Sequence, residues 1–330
     1  MKKILQILFE HKVLDRPTAR QVLVNIGRGI YNEHEVTAFM TVYLMRSITI
    51  EELQGFRDAL LELCVPVELN GYDVLDIVGT GGDGKNTFNI STLSCFIVAG
   101  AGHKIAKHGN YGASSISGAS NVMEQVGYKF KNQKELLKKE VEQTNICFLH
   151  APLFHPALKT VAPIRKNLGM RTFFNMLGPM VNPATPRFQL VGVFSLEMAR
   201  IYNYLLQQTE SAFTIIYGLD GYDEISLTND TKVITNAGEK IMTPEQLGKR
   251  TVNASDILGG HSVEEAARIF VRILNGEGTW AQNAVVLANA AMALHCTGGY
   301  KEYDDAYHAA VESLESGKAK KVLERLIAMQ

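Results

Sequence analysis

The sequence predicts an α/β fold: a small N-terminal helical domain over residues 1–70, followed over 71–330 by a larger α/β domain with a mainly parallel central sheet. Two patterns predict it. Up to about residue 65, helix-start signatures follow one another with no strand-like run between them. Beyond residue 72, short β-branched runs alternate with helical periodicities and run into glycine-rich or polar loops. That alternation builds a parallel sheet with helices on its faces, and places ligands beyond the carboxyl ends of the strands.

The elements follow in order. Asp15 caps a helix that has Pro17 in its first turn and ends near Gly27. Asn32 with Glu35 forms a capping box ahead of the stripe Val36, Phe39, Met40, Tyr43 and Leu44. Thr49 with Glu52 repeats the device for Leu53, Phe56, Leu60 and Cys64, and Pro66 stops that helix. Val74–Val78 reads as a strand, Ser91–Ala99 as the start of a helix and Lys104–Ala106 as a short second strand. Asn145–Leu149 and Phe213–Tyr217 are further buried strands. Ser262 and Glu265 cap a helix through Leu274 that Gly276 ends, and Ala281–His295 and Asp304–Leu314 are helical.

Between Asp83 and Glu124 there is no acidic residue, in a chain with 34 of them. The gap opens at Gly79-Thr80-Gly81-Gly82-Asp83-Gly84 and runs through Asn89-Ile90-Ser91-Thr92 and Lys107-His108-Gly109-Asn110 to Gly112-Ala113-Ser114-Ser115-Ile116-Ser117-Gly118. Such a stretch offers amides, hydroxyls and cations with nothing negative to repel an anion, so a phosphorylated substrate fits. The spacing of Gly79, Gly81 and Gly84 formally matches a dinucleotide fingerprint, but Lys107-His108 stands where the ribose-binding acid belongs. No Lys-Ser or Lys-Thr pair closes the loop as in a P-loop. Asp223-Glu224, after the strand at Phe213–Tyr217, reads either as a surface turn or as a magnesium ligand pair facing the anion site. Arg165 is either a surface cation or a planar fork for a substrate carboxylate. For His150 and His155, core, capping and catalytic roles all stay open.

Composition bounds the setting. A formal net charge of −1 excludes a general nucleic-acid binder. Four scattered cysteines, Cys64, Cys95, Cys147 and Cys296, suggest neither a metal pattern nor a disulfide framework. The N-terminal apolar run is too short for a signal peptide, and no stretch suits a bilayer span, so a cytoplasmic protein without a membrane partner is expected.

Taken together and in order, these motifs resemble the anthranilate phosphoribosyltransferases of tryptophan biosynthesis over essentially the full chain. Ser114-Ser115, Ser117-Gly118, Ala151-Pro152, His155-Pro156, Phe174-Asn175-Met176-Leu177-Gly178-Pro179 and Asp223-Glu224 add to the loops in carrying the resemblance. It implies a magnesium-dependent pentosyltransferase acting on phosphoribosyl pyrophosphate and anthranilate, with two ions per subunit. It also implies a homodimer joined through the helical domain, to which a segment near 165–185 returns. For phosphoribosyl pyrophosphate it implies Gly79, Gly82, Asp83, Thr87, Asn89, Ile90, Ser91 and Thr92. From the second loop it adds Lys107, His108, Gly109, Asn110, Tyr111, Gly112, Ala113, Ser114, Ser115 and Ala119. For anthranilate it implies Gly79, Asn110 and Arg165; for the metal, Ser91, Asp223 and Glu224. No dedicated catalytic acid or base is implied. The chain departs from the family pattern at Tyr111, where Arg is usual, and at Ala119-Ser120-Asn121, where Ser-Ala-Asp is usual. Tyr111 either leaves Lys107 to carry more of the phosphate charge or packs between loop and helix. A pyrimidine nucleoside phosphorylase is the rival of similar architecture, but it would need a further C-terminal domain. A nucleic-acid-binding relative would need a basic face.

Overall fold

The structure is a computed structural model that describes every residue except Asn70, Ala113, Ser114 and Lys249. The chain forms two compact units: residues 1–67 with 151–185, and residues 68–150 with 186–330.

The first unit is helical. Its N-terminal helices are α1 (Lys2–Phe9), α2 (Arg16–Gly27), α3 (Glu33–Met45) and α4 (Ile50–Leu63), joined by the later helix Pro156–Leu168. Each expected cap is made. Asp15 accepts from the Thr18 amide at 2.8 Å, and Asn32 with Glu35 and Thr49 with Glu52 form reciprocal boxes. A cap of this kind contributes about 1 kcal/mol. Phe39, Tyr43 and Phe56 pack edge-on, and Phe173 of the returning segment stacks on Phe56 at 4.6 Å. That aromatic contact, with Val65 N–H donating to Phe154 O and Val67 N–H to Pro183 O, ties the segment into this unit. Fully buried Glu52 keeps its charge because Arg46, the Tyr43 hydroxyl and the Leu14 amide all donate to it.

The second unit is built on one seven-stranded sheet. Its strands are β1 (Val74–Gly79), β2 (Lys104–Gly109), β3 (Ile146–His150), β4 (Phe188–Gly192), β5 (Ala212–Gly218), β6 (Thr231–Thr235) and β7 (Gly238–Met242). The order is β3-β2-β1-β4-β5-β6-β7, parallel from β3 through β5 and antiparallel at β6 and β7. Two helices position the site, α5 (Ile90–Gly100) and α6 (Ala119–Gln125). The former is buried along most of its length, in the core that also takes the helix Trp280–Cys296.

The expected fold class holds, with three local corrections. Lys107, His108 and Gly109 belong to β2 and not to a loop, because parallel pairing with β3 continues through Lys107↔Phe148, His108↔Leu149 and Gly109↔His150. β4 gave no signal of its own, since it is five residues long, starts just after Pro186-Arg187 and contains Gln189. The β6–β7 hairpin also went unread. Its turn is Asn236-Ala237, and β7 is mostly exposed with charged residues in it, as an edge strand requires.

Candidate functional site

The site is assembled where β1 and β4 end side by side, Gly79 opposite Gly192. The chain then turns through Gly81, Gly82 and Gly84, whose φ angles of +66°, +83° and +74° are of the left-handed kind that glycine adopts at little cost. The Thr80 amide closes the turn on Gly192 O at 2.9 Å. Asp223 fills the space above the two strand ends. A Cβ on Gly79 would lie 2.5 Å from Asp223 Oδ2, and one on Gly192 would overlap the Asp223 carbonyl oxygen. Only a residue without a side chain lets the acidic loop come so near.

Both acids are buried and held by donors from the first loop. The Gly81 amide donates to Asp223 Oδ2 at 2.7 Å. Glu224 Oε1 accepts from the Ser91 amide in the first turn of α5, and Oε2 from the Thr87 hydroxyl, each at 3.1 Å. Burial, and then the charge of nearby Asp83, pushes the Asp223 carboxyl up to about 7. Glu224 is raised well above the carboxylate range by burial, then by Asp223 and Asp83. Asp83 accepts from the Lys85 amide through Oδ1, while its Oδ2 is buried with no partner among the described residues. Crowded, under-satisfied carboxylate oxygens of this kind suit a hard divalent cation. Among the described residues no three acidic, His or Cys side chains could hold a metal alone, so water and ligand oxygens would complete its shell.

The floor of the site is tied together by backbone contacts. Phe88 N–H donates to Ile257 O and Gly259 N–H to Asn86 O, and Thr87 bridges Leu258. Asn89 precedes α5, its Nδ2 donating to Ser117 O at 2.9 Å and its Oδ1 buried with no partner among the described residues. The side chains of Ile90 and Thr92 are core. What this stretch offers a ligand is therefore the positive N-terminal end of α5.

The second loop is placed differently from its sequence reading. Lys107 is buried and its ammonium donates to Ile77 O at 2.6 Å. His108 is also buried, its amide donating to Asp76 Oδ1. Asn110, Tyr111, Gly112 and Ser115 are exposed, and Ala119 opens α6. Ala113 and Ser114 lie outside the described residues. A residue the sequence reading had noted only as a departure, Asn121, organises this loop: its Oδ1 accepts from the amides of Gly112 and Gly118 at 2.9 and 3.0 Å. Gly192 was missed with its strand.

Arg165 belongs to the helical unit. It lies over the Phe174 ring, 5.5 Å from its centroid, with one guanidinium nitrogen 3.4 Å from Asn175 Oδ1. Burial lowers its pKa. In the same unit burial drives buried His155 down to about 4, opposed by backbone groups of Val181 and Leu60, which makes it a neutral structural residue.

Comparison with known proteins places the chain in a family and matches its fold. Residues 71–320 match the glycosyl transferase family a/b domain and residues 2–64 the helical bundle domain of the same family. The anthranilate phosphoribosyltransferase of Flavobacterium johnsoniae is 57% identical over 326 residues, covering 99% of this chain and 98% of that protein. That of Bacteroides fragilis is 54% identical, covering 100% and 99%. Among solved structures, the Thermus thermophilus anthranilate phosphoribosyltransferase superposes with a TM-score of 0.91 at 31% identity, covering 98% of each chain. The Saccharomyces cerevisiae enzyme in complex with PRPP and Mg gives 0.90 at 28% identity, covering 98% and 96%.

Proposed function

The chain belongs to the anthranilate phosphoribosyltransferase family, and from that premise we infer how its residues divide the work. The reaction moves the phosphoribosyl group of 5-phosphoribosyl 1-pyrophosphate (PRPP) to the amine of anthranilate, giving N-(5-phosphoribosyl)anthranilate and pyrophosphate in tryptophan biosynthesis. The observation that carries the assignment of residues is the buried pair Asp223–Glu224, docked on the glycine loop and on the amino end of α5.

The glycine loop, Thr87, Asn89 and the first turn of α5 receive PRPP, with amide donors for its phosphate oxygens. Exposed Asn110, Gly112 and Ser115 of the second loop contribute further donors. Ser91, Asp223 and Glu224 would hold magnesium, two ions per subunit, which when bound neutralises charge gathering on the departing pyrophosphate. Gly79 and Asn110 orient the aromatic amine, which is neutral near pH 7 and needs no strong base. Arg165 takes the anthranilate carboxylate, a charge-assisted bond typically worth about 1.5–3 kcal/mol. Holding two reactants in line lowers a barrier by about 7–11 kcal/mol in favourable cases, so placement supplies much of the catalysis. Exposed apolar residues of the helical unit, Phe9, Val13 and Met45 among them, support a homodimer formed through that unit. Four free cysteines support a reducing, cytoplasmic setting.

Anthranilate fluorescence tests the activity. It is expected to decay on addition of PRPP and magnesium, and to stay constant when either is withheld. A constant signal with all three components present would overturn the reading.

A further inference from the structure

Tyr111, which the family resemblance sets among the PRPP residues, and His150 meet at the base of the second loop. The Tyr111 hydroxyl donates to Glu124 Oε1 on α6 at 2.8 Å, and its ring stands edge-on to the His150 imidazole at 4.9 Å. His150, the last residue of β3, is buried, stacks on Phe130 at 4.5 Å and has its Nδ1 2.8 Å from Ser120 Oγ. Ser120 in turn donates its amide to Asn110 O, and Asn121 beside it holds the Gly112 and Gly118 amides. The two ends of the loop are thus fastened to the same turn of α6 and to the end of β3.

We propose that Tyr111 and His150 are positioning residues that latch the described ends of the second loop, residues 110–112 and 115–118, to α6 and β3 before PRPP arrives. The proposal rests on the reading of this loop as part of the PRPP site. Direct contact of the phenol with a phosphate fits the geometry badly, because the hydroxyl is already donated to a carboxylate that would repel the ligand. That bond also raises the phenol's pKa, so it remains a donor, and burial lowers that of His150. Tyr111 is itself 44% exposed, so its ring contributes little to the core. Its effect is on the freedom of a glycine- and serine-rich loop, whose ordering would otherwise be charged to binding.

The test uses the full-length protein with Tyr111→Phe, which keeps the ring and loses the bond to Glu124, and His150→Phe, which keeps the stack and loses the bond to Ser120. Each is expected to raise the KM for PRPP about two- to tenfold, the worth of one hydrogen bond. The KM for anthranilate and kcat should stay as in the wild type, and the melting temperature should fall by no more than the loss of one hydrogen bond explains. Hydrogen exchange over residues 110–121 should quicken without substrate and return to the wild-type rate at saturating PRPP. Unchanged exchange with an unchanged KM for PRPP overturns the latch. So does a fall in kcat at constant KM, which would place Tyr111 in the chemistry. A wild-type protein that protects the loop but transfers nothing would sink the proposed function and spare the latch.

Discussion

Glu224 accepts two hydrogen bonds and is still pushed towards its neutral form, because Asp223 and Asp83 crowd it in a buried place. A glutamine there keeps a carbonyl oxygen for the Ser91 amide and is neutral, as the buried carboxyl tends to be without a cation. Glu224→Gln is therefore expected to cut transfer by on the order of tenfold or more, with a metal-free melting temperature no lower than the wild type's. Activity near the wild-type level across a magnesium titration would count against the metal role. His155 gives a pH prediction of its own. Its folded pKa of about 4 lies below the ordinary 6.5, so between those values the unfolded chain binds more protons and stability is lost as pH falls. A shift of that size corresponds to about 3 kcal/mol once pH is below both values. His155→Phe should flatten the stability profile between pH 6.5 and 4; an unchanged slope in chemical denaturation would show that the histidine is not the responsible group. The acid pair and the capping residues were legible as residue types. The neutral, structural character of His155 was not, because a histidine's role depends on what surrounds it.

At the level of elements, the site depends on two strand ends that must be bare. The Asp223 backbone rests on Gly192 so closely that any side chain there overlaps its carbonyl oxygen. Gly192→Ala must move the acidic loop or break the Thr80–Gly192 closure, and overpacking of this kind typically costs about 1–3 kcal/mol. The expected result is a lower melting temperature together with a higher KM for PRPP. A variant that melts and binds as the wild type would show that the loop can yield at no cost. This contact joins residues of β4 and the β5–β6 connection, and no local pattern announces it. Strand β2 was similarly under-read: Lys107 and His108 look like loop chemistry in the sequence, yet pairing with β3 carries them into the sheet and buries them.

For the whole molecule, ligand binding should register as stability. A ligand that binds only the folded state adds about 2.7 kcal/mol at a hundred times its Kd. Glu224 and Asp223 resist ionisation without a cation. PRPP with magnesium is therefore expected to raise the melting temperature well beyond PRPP with a chelator. Equal shifts in the two conditions would separate substrate binding from the acidic pair. Calorimetry suits this measurement, since two compact units can melt separately and the gain is expected in the transition of residues 68–150 with 186–330.

The fold class, the caps, the glycine loop and the acidic pair were determined by sequence alone, because each is written in residues a few positions apart. Asn32 and Glu35 find one another within a turn, and Gly81, Gly82 and Gly84 allow left-handed φ angles at little cost. Tertiary structure decided the rest. The Gly81 amide meets a carboxylate 142 positions away and the Ser91 amide one 133 away, and those contacts turn an exposed-looking acidic turn into a buried site. The same holds for Lys107, whose ammonium goes to a carbonyl of the neighbouring strand, and for His150, which meets Tyr111 and Ser120 only because β3 lies beside β2. Local sequence sets backbone preference and hydrophobic period, whereas burial and charge at a point are set by chain segments remote from it.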